Sequence, residues 1–311
     1  MNTDKMVSIN VLIITYNQDN VLSRTLNSVL NQKAWGLNEI VICDDHSTDD
    51  NWGVIQSYVE RYPGIVRAYR NDPNLGIYGN VEKTYKLRGK ADLYVNLSGD
   101  DSFCDGYFET LQNYIENNNI SVKGKAVAFS FDYKIVQPNG RQFVYRNIKA
   151  NGSNNLFSLK YRGLISSRGL MMSGDIMNQY KEVPLDKGVP LAEHACEIQG
   201  YQHADVVYYI PFVASIYYSQ IGVSTTMRNV ETYQKYLFRW HYFLDNFELS
   251  NKDKAYTKMK IATIDYYNHP SVISLLQIIK YFCKSYDFRL GISFFQMAIT
   301  IRGIVKSTFS R

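Results

Sequence analysis

Cysteine is scarce and scattered in this 311-residue chain: Cys43, Cys104, Cys196 and Cys283 stand far apart and form no CxxC pair. That spacing offers no zinc ligand set and no disulfide framework, and it fits a reducing cytoplasm. Glycine is missing where a phosphate-gripping loop would need it. Val11–Asn20 holds neither a glycine nor a basic residue, which removes a dinucleotide-binding GxGxxG turn and counts against a nucleotidyltransferase. The first 230 residues carry no basic stripe with interleaved aromatics, so nucleic acid is not an expected partner. No internal repeat or low-complexity stretch is present. A membrane-spanning helix is not predicted either. Val206–Met227 is uncharged for 22 residues, but Pro211, Gly222 and a cluster of Ser, Thr and Gln interrupt it, and it reads as two strands and a loop. Lys5 followed by Met6–Thr15 lacks a small-residue cleavage site and runs into Tyr16-Asn17-Gln18, so it reads as a first strand rather than a signal peptide.

What the chain does have is an ordinary globular composition, 45% hydrophobic and 20% charged, which excludes wholesale disorder. Its 26 tyrosines are unusual; such rings line sugar and base sites and also serve as amphipathic wall and core residues. The net charge of +5 is uneven: Glu231–Arg311 holds 12 Lys and Arg against 6 Asp and Glu, and the rest 22 against 23. A basic surplus at one end suits an anionic surface, lipid better than nucleic acid.

Residues 7–120 alternate strand and helix. Strands are expected at Val7–Thr15, Glu39–Cys43, Ile65–Tyr69 and Leu93–Leu97. Helices are expected at Asn20–Gln32, from an Asp49 or Asp50 cap to Tyr62, at Tyr78–Arg88 and at Tyr107–Asn117. This rhythm implies an α/β fold with a mainly parallel sheet and helices on both faces. Beyond residue 121 the pattern changes: Lys125–Tyr133 and Arg141–Tyr145 flank Pro138-Asn139-Gly140, a hairpin signature. Strands follow near Val206–Ile210 and Val213–Tyr218, and past Arg228 the chain reads as helical and aromatic-rich. The expected division is 1–225, with halves 1–120 and 121–225, and a helical extension over 226–311.

Two apolar runs end abruptly in adjacent carboxylates, Asp44-Asp45 after the second strand and Ser98-Gly99-Asp100-Asp101 after the fourth. In open α/β sheets, ligands bind outside the carboxyl ends of the strands. A carboxylate at the first turn can accept from a base imide or a ribose hydroxyl, or merely cap the next helix near its positive end. At the second, Gly99 lets the backbone approach closely, and a hard divalent cation takes one or two such carboxylates plus substrate phosphates. A helix cap is the plainer role here too.

Val11-Leu-Ile-Ile-Thr-Tyr-Asn-Gln18, Ile42-Cys-Asp-Asp-His-Ser-Thr-Asp49, Asn74-Leu-Gly-Ile-Tyr-Gly-Asn80 and Ser98-Gly-Asp-Asp101 together resemble the family-2 glycosyltransferases, in order and spacing. The resemblance implies a GT-A-like nucleotide-binding sheet and an inverting transfer of sugar from a nucleotide-diphosphate sugar to a glycan or lipid-linked acceptor, as in surface-polysaccharide synthesis. It implies that Thr15, Tyr16 and Asn17 contact the nucleotide, that Asp44 and Asp45 hold base and ribose, and that Gly76 and Asn80 shape the donor pocket. Asp100, with Asp101 beside it, would hold Mg²⁺ or Mn²⁺; Ser98 stands where many members place the first Asp of the DxD motif. Glu193 is the implied general base, in a Glu193-His194 pair where the family usually has Glu-Asp, with Glu197 and Asp186 as fallbacks. His194 would orient the base or serve structurally. His46 reads as a turn residue. Arg168–Asp175 lies where members shape the acceptor cleft, with Met171 and Met172 as core.

Leu290–Ile301 is uncharged and rich in Ile and Phe, with Arg289, Arg302, Lys306 and Arg311 around it. Such a segment suits a membrane interface, or packing on the catalytic domain or on a second copy in a homo-oligomer. The expected location is the cytoplasm, peripheral to the inner face of the plasma membrane if the acceptor is lipid-linked. A non-catalytic glycan-binding scaffold is the remaining alternative.

Overall fold

The computed structural model describes residues 6–148, 156–182, 193–219 and 230–286. They fall into two compact units, the first running to Thr225 and the second beginning at Thr226, with Ser158–Leu164 also belonging to the second. In the first unit β1 (Ile9–Thr15), α1 (Asp19–Leu30), β2 (Leu37–Asp44), α2 (Asn51–Arg61), β3 (Val66–Arg70), α3 (Gly76–Lys86) and β4 (Leu93–Ser98) alternate. The four strands pair in parallel in the order β3-β2-β1-β4. The central strand β1 is apolar and buried almost throughout because both of its faces are covered, whereas the edge strand β3 buries only Val66 and carries Arg67 and Arg70.

One face belongs to a single core. Ile9, Val11 and Ile13 pack there with Leu22, Leu26 and Val29 of α1 and with Ile55 and Tyr58 of α2. Phe108, Leu111 and Ile115 of α4 (Tyr107–Asn117) complete it. The 3.6-residue spacing of those leucines and valines makes α1 and α4 amphipathic and turns their apolar stripes to the sheet. On the other face lies α3, where Val81 and Tyr85 are buried and Thr84 hydrogen bonds the Cys43 thiol.

The sheet then changes direction. Between β4 and α4 lies the two-residue β5 (Ser102–Phe103). The hairpin strands β6 (Val127–Val136) and β7 (Gln142–Tyr145) follow, then α5 (Leu156–Tyr161), β8 (Met171–Ser173), α6 (Gly174–Gln179), α7 (Glu193–Gln202) and β9 (Val206–Tyr218). β8 runs antiparallel between β4 and β6, β9 lies parallel to β6, and β5 closes that side. Met171 and Met172 are both buried in β8.

One expectation is corrected. Val206–Ile210 and Val213–Tyr218 form a single strand, β9, rather than two. Opposite β6, Phe131 pairs with Ile210, Asp132 with Val213 and Tyr133 with Ser215, so Pro211, Phe212 and Ala214 are skipped. Proline has no N–H for the ladder, and the chain absorbs it as a bulge instead of breaking.

The second unit contains α8 (Val230–Asn246), α9 (Asn251–Asn268) and α10 (Val272–Ser285). Its core is aromatic: Tyr161, Trp240, Phe243 and Tyr256 meet edge to face or tilted. Arg162 and Asp253, both buried, pair at 2.7 Å. No helix among the described residues is long and apolar enough to cross a membrane. Leu290–Ile301 and Asp186 lie outside the described residues.

Candidate active site at the carboxyl edge of the sheet

The strand ends of β3, β2, β1 and β4 are laced to one another just where the chain leaves the sheet. Asn71 N–H donates to the Asp44 carbonyl at 2.8 Å, Asp45 N–H to the Thr15 carbonyl at 2.9 Å, and Gly99 N–H to the Ile14 carbonyl at 2.9 Å. Thr15, Tyr16, Asn17, Asp44, Asp45, Gly76, Asn80, Asp100 and Asp101 are thereby gathered along one edge. Gly99 permits a close approach: a Cβ there would collide with Gln18 Oε1 and stand 2.7 Å from Thr15 Oγ1. The Thr25 hydroxyl of α1 holds the same turn from below, through the carbonyls of Gly99 at 2.8 Å and Asp101 at 2.6 Å.

The two carboxylates after β2 do different things. Asp44 is wholly buried and saturated by its own loop: it accepts from Ser47 N–H at 3.1 Å, the Ser47 hydroxyl and Asn51 Nδ2 at 2.7 Å, with Arg70 Nε 3.4 Å away. Asp45 offers Oδ1 to Asn71 Nδ2 at 2.8 Å and to Leu75 N–H at 2.7 Å. That pair of contacts fixes the loop leading into α3. Asn80 braces the same place, accepting from Asn71 Nδ2 at 3.0 Å and donating to the Cys43 carbonyl at 2.9 Å. Asn71 Oδ1 is buried there without a hydrogen-bond partner. Gly76 opens α3 at φ +73°, where L side chains are strained.

The turn after β1 joins the same network. Asn17 stands at φ 52°, its N–H donates to Ser47 Oγ at 2.9 Å, and its Oδ1 accepts from Thr48 N–H at 2.8 Å. Tyr16, 38% exposed, stands beside it at the surface. His46, also left-handed at φ 62°, is held at the Asn71 carbonyl by Nδ1 at 3.1 Å, as a turn residue.

At the acidic turn after β4, Asp100 is buried, and Gln18 and its own N–H hydrogen bond its carboxylate. Burial pushes its pKa above the usual carboxylate range, while Arg168, Arg24 and those bonds pull the other way. Asp101 is pushed up to about 6, chiefly by burial and also by Asp100, with Arg168 opposing. Arg168 Nη1 lies 2.5 Å from Asp101 Oδ2, and Tyr218 N–H donates to Oδ1 at 3.2 Å. Two tyrosines support the arginines around this turn: Tyr217 lies 3.8 Å from the Arg168 guanidinium, and Tyr218 lies 3.6 Å from that of Arg24. Arg24 Nη2 in turn donates to the Asp100 carbonyl at 2.6 Å.

This donor set suits one divalent cation held by Asp100 together with phosphate oxygens, because such ions keep substrate phosphates and water in their shell. Asp101 is already matched by a guanidinium. Among the described residues, no group of three or more His, Cys, Asp and Glu is gathered to hold a metal ion. Glu193 opens α7; its side chain and that of His194 lie outside those described.

Sequence reasoning did not single out Arg168, Arg24, Gln18 or Asn71 for this edge. Asn71 carried a signal, since it follows the apolar end of β3 as Asp45 follows β2. Arg168 was read only as the start of the acceptor-cleft stretch, because its partner Asp101 lies 67 residues upstream.

A mainly parallel sheet flanked by helices, with acidic turns along its laced carboxyl edge, defines an α/β domain whose fold known proteins share. The structure of Staphylococcus aureus TarS 1–349 in complex with UDP-GlcNAc superposes with a TM-score of 0.62 at 13% identity, covering 96% of this chain and 89% of that one. The complex of TarS 1–349 with UDP gives 0.58, also at 13% identity. These establish a GT-A-like fold. The glycosyl transferase family 2 model matches residues 10–170, and the chain belongs to that family. Poly(ribitol-phosphate) beta-N-acetylglucosaminyltransferase TarP of S. aureus strain N315 is 33% identical over 115 residues, 37% of this chain and 35% of TarP. An uncharacterized protein of Mycobacterium tuberculosis strain CDC 1551 / Oshkosh is 32% identical over 114 residues, 37% of this chain and 34% of that protein. The match thus spans about a third of the length of these curated relatives.

Proposed function

We propose that the protein transfers a sugar, with inversion, from a UDP-sugar to a hydroxyl of a cell-surface polymer or lipid-linked glycan, at the cytoplasmic face of the membrane. One observation carries this reading: Asp45 and Asp100 stand on strand ends that are hydrogen-bonded through the β1 turn, so a nucleoside and its diphosphate can be held by one rigid edge. Family membership and the similarity in fold to a protein that binds UDP-GlcNAc support the donor class.

In this reading Asp44 positions and Asp45 binds. Asp44 is spent on Ser47, Asn51 and Arg70, which keep the loop in shape, whereas Asp45 and the nearby Asn71 Oδ1 are the acceptors for an imide N–H or a ribose hydroxyl. Tyr16 offers its ring face to the base. Asp100 would hold Mg²⁺ or Mn²⁺ against the diphosphate, where such an ion would offset charge on the leaving group. Arg168 keeps Asp101 ionised beside it. The acceptor hydroxyl needs a general base, a role worth about 10²–10⁴ in rate, and Glu193 at the start of α7 is assigned to it, with Glu197 one turn further on.

Calorimetric titration of UDP, GDP and dTDP, each with Mn²⁺ or with chelator, tests the donor site on wild type and Asp100→Asn. Metal-dependent UDP binding that is lost in Asp100→Asn is expected. Failure of all three nucleotides to bind would overturn the reading.

A further inference from the structure

We propose that α10 is a membrane-docking helix, lying in the interface of an anionic bilayer with its apolar stripe buried among the lipids. This goes beyond the transfer reaction and stands on different observations. Val272, Ile273, Leu275, Leu276 and Ile279 are all exposed, Val272 and Ile273 at 73% and 71%. At 100° per residue, Val272, Leu275, Leu276 and Ile279 share one stripe, and Lys280 and Lys284 follow along one flank of it. From Pro270 to Tyr286 there is no acidic residue. An exposed apolar stripe with lysines beside it and no carboxylate complements anionic headgroups, because the lysine stems lie along the lipid while the ammonium groups stay in water.

The face is exposed because the helix is anchored on its other side. Ser274, Ile278 and Ser285 are buried on the opposite side of α10. A Ser271–Ser274 capping box fixes its start, and Arg162 Nη1 donates to the Ser285 carbonyl at 2.9 Å near its end. A second copy of the chain fits less well. A 14-residue helix is about 21 Å long and about 10 Å wide, so its stripe offers on the order of 200 Å², against about 800 Å² per partner in a stable interface.

Flotation of the full chain with phosphatidylcholine vesicles, with and without phosphatidylglycerol, tests the assignment. Binding should require phosphatidylglycerol and weaken with salt. Leu276→Ser combined with Ile279→Ser should lower the partition coefficient about tenfold or more, and Lys280→Gln with Lys284→Gln should lower its dependence on phosphatidylglycerol. Circular dichroism and UDP titration should match wild type in both variants. Vesicle binding that is absent, or unchanged by the Leu276 and Ile279 substitutions, overturns the proposal. So does a wild-type oligomer that ignores vesicles and dissociates in the Leu276→Ser/Ile279→Ser variant.

Discussion

Asp101 shows how much one neighbour matters at the scale of a residue. Its pKa of about 6 reflects burial opposed by Arg168, so between about pH 4 and 6 the folded protein holds a proton there that an ordinary carboxylate would already have lost. Activity should therefore fall as pH drops through about 6, where Asp101 becomes neutral and its pairing with Arg168 weakens. In Arg168→Ala the opposing cation is gone, the carboxylate becomes harder to ionise, and the acidic limb of the kcat/KM profile should move to higher pH. An unmoved limb would assign it to another group. Asp100→Asn should cost about 10²–10³ in kcat with the fold retained, since the carboxylate removed would hold the cation that offsets charge on the leaving group; full transfer activity in that variant would exclude Asp100 from the site.

Among the elements, the close packing of the β1 and β4 turns makes Gly99 the most sensitive position. Gly99→Ala places a methyl 2.7 Å from Thr15 Oγ1 and must push the acidic turn away from the nucleotide side. UDP affinity should fall about tenfold, a loss of about 1.4 kcal/mol, beside an overpacking cost to stability of about 1–3 kcal/mol; an unaltered affinity would show that the turn can yield. The strands and helices of the first 120 residues were legible because each is an apolar run or stripe of ordinary length, bounded by turn residues. β5 and β8, two and three residues long, are too short for alternation to show. β9 read as two strands because Pro211 interrupts the pattern in sequence but only bulges it in space. At the site, paired carboxylates at strand ends were visible as a pattern. The division of labour between Asp44 and Asp45 was not, because it depends on Ser47, Asn51 and Arg70 closing on one of them.

At the scale of the whole molecule, the second unit hangs on a buried ion pair. Asp253 accepts from Arg162 Nε at 2.7 Å, Ser158 Oγ at 2.6 Å and Ser250 Oγ at 2.7 Å. Asp253→Ala leaves the Arg162 guanidinium buried without that carboxylate and should cost about 3–5 kcal/mol, read as a lower denaturant midpoint. UDP affinity measured below the transition should be unchanged, because the donor edge belongs to the first unit; a parallel loss of affinity would show that the two are coupled. The aromatic character of this region was legible in composition, but a pair formed across 91 positions of sequence was not.

The bulge in β9 gives that strand something like a reading frame. Tyr217 and Tyr218 are neighbours facing opposite ways, one on Arg168 and the other on Arg24, and the extra residues opposite Phe131–Tyr133 decide which ring meets which arginine. Deleting a single residue between Pro211 and Ala214 would exchange the two. A change of two residues would preserve the phase. Over an evolutionary lineage this stretch should gain or lose length only in even steps.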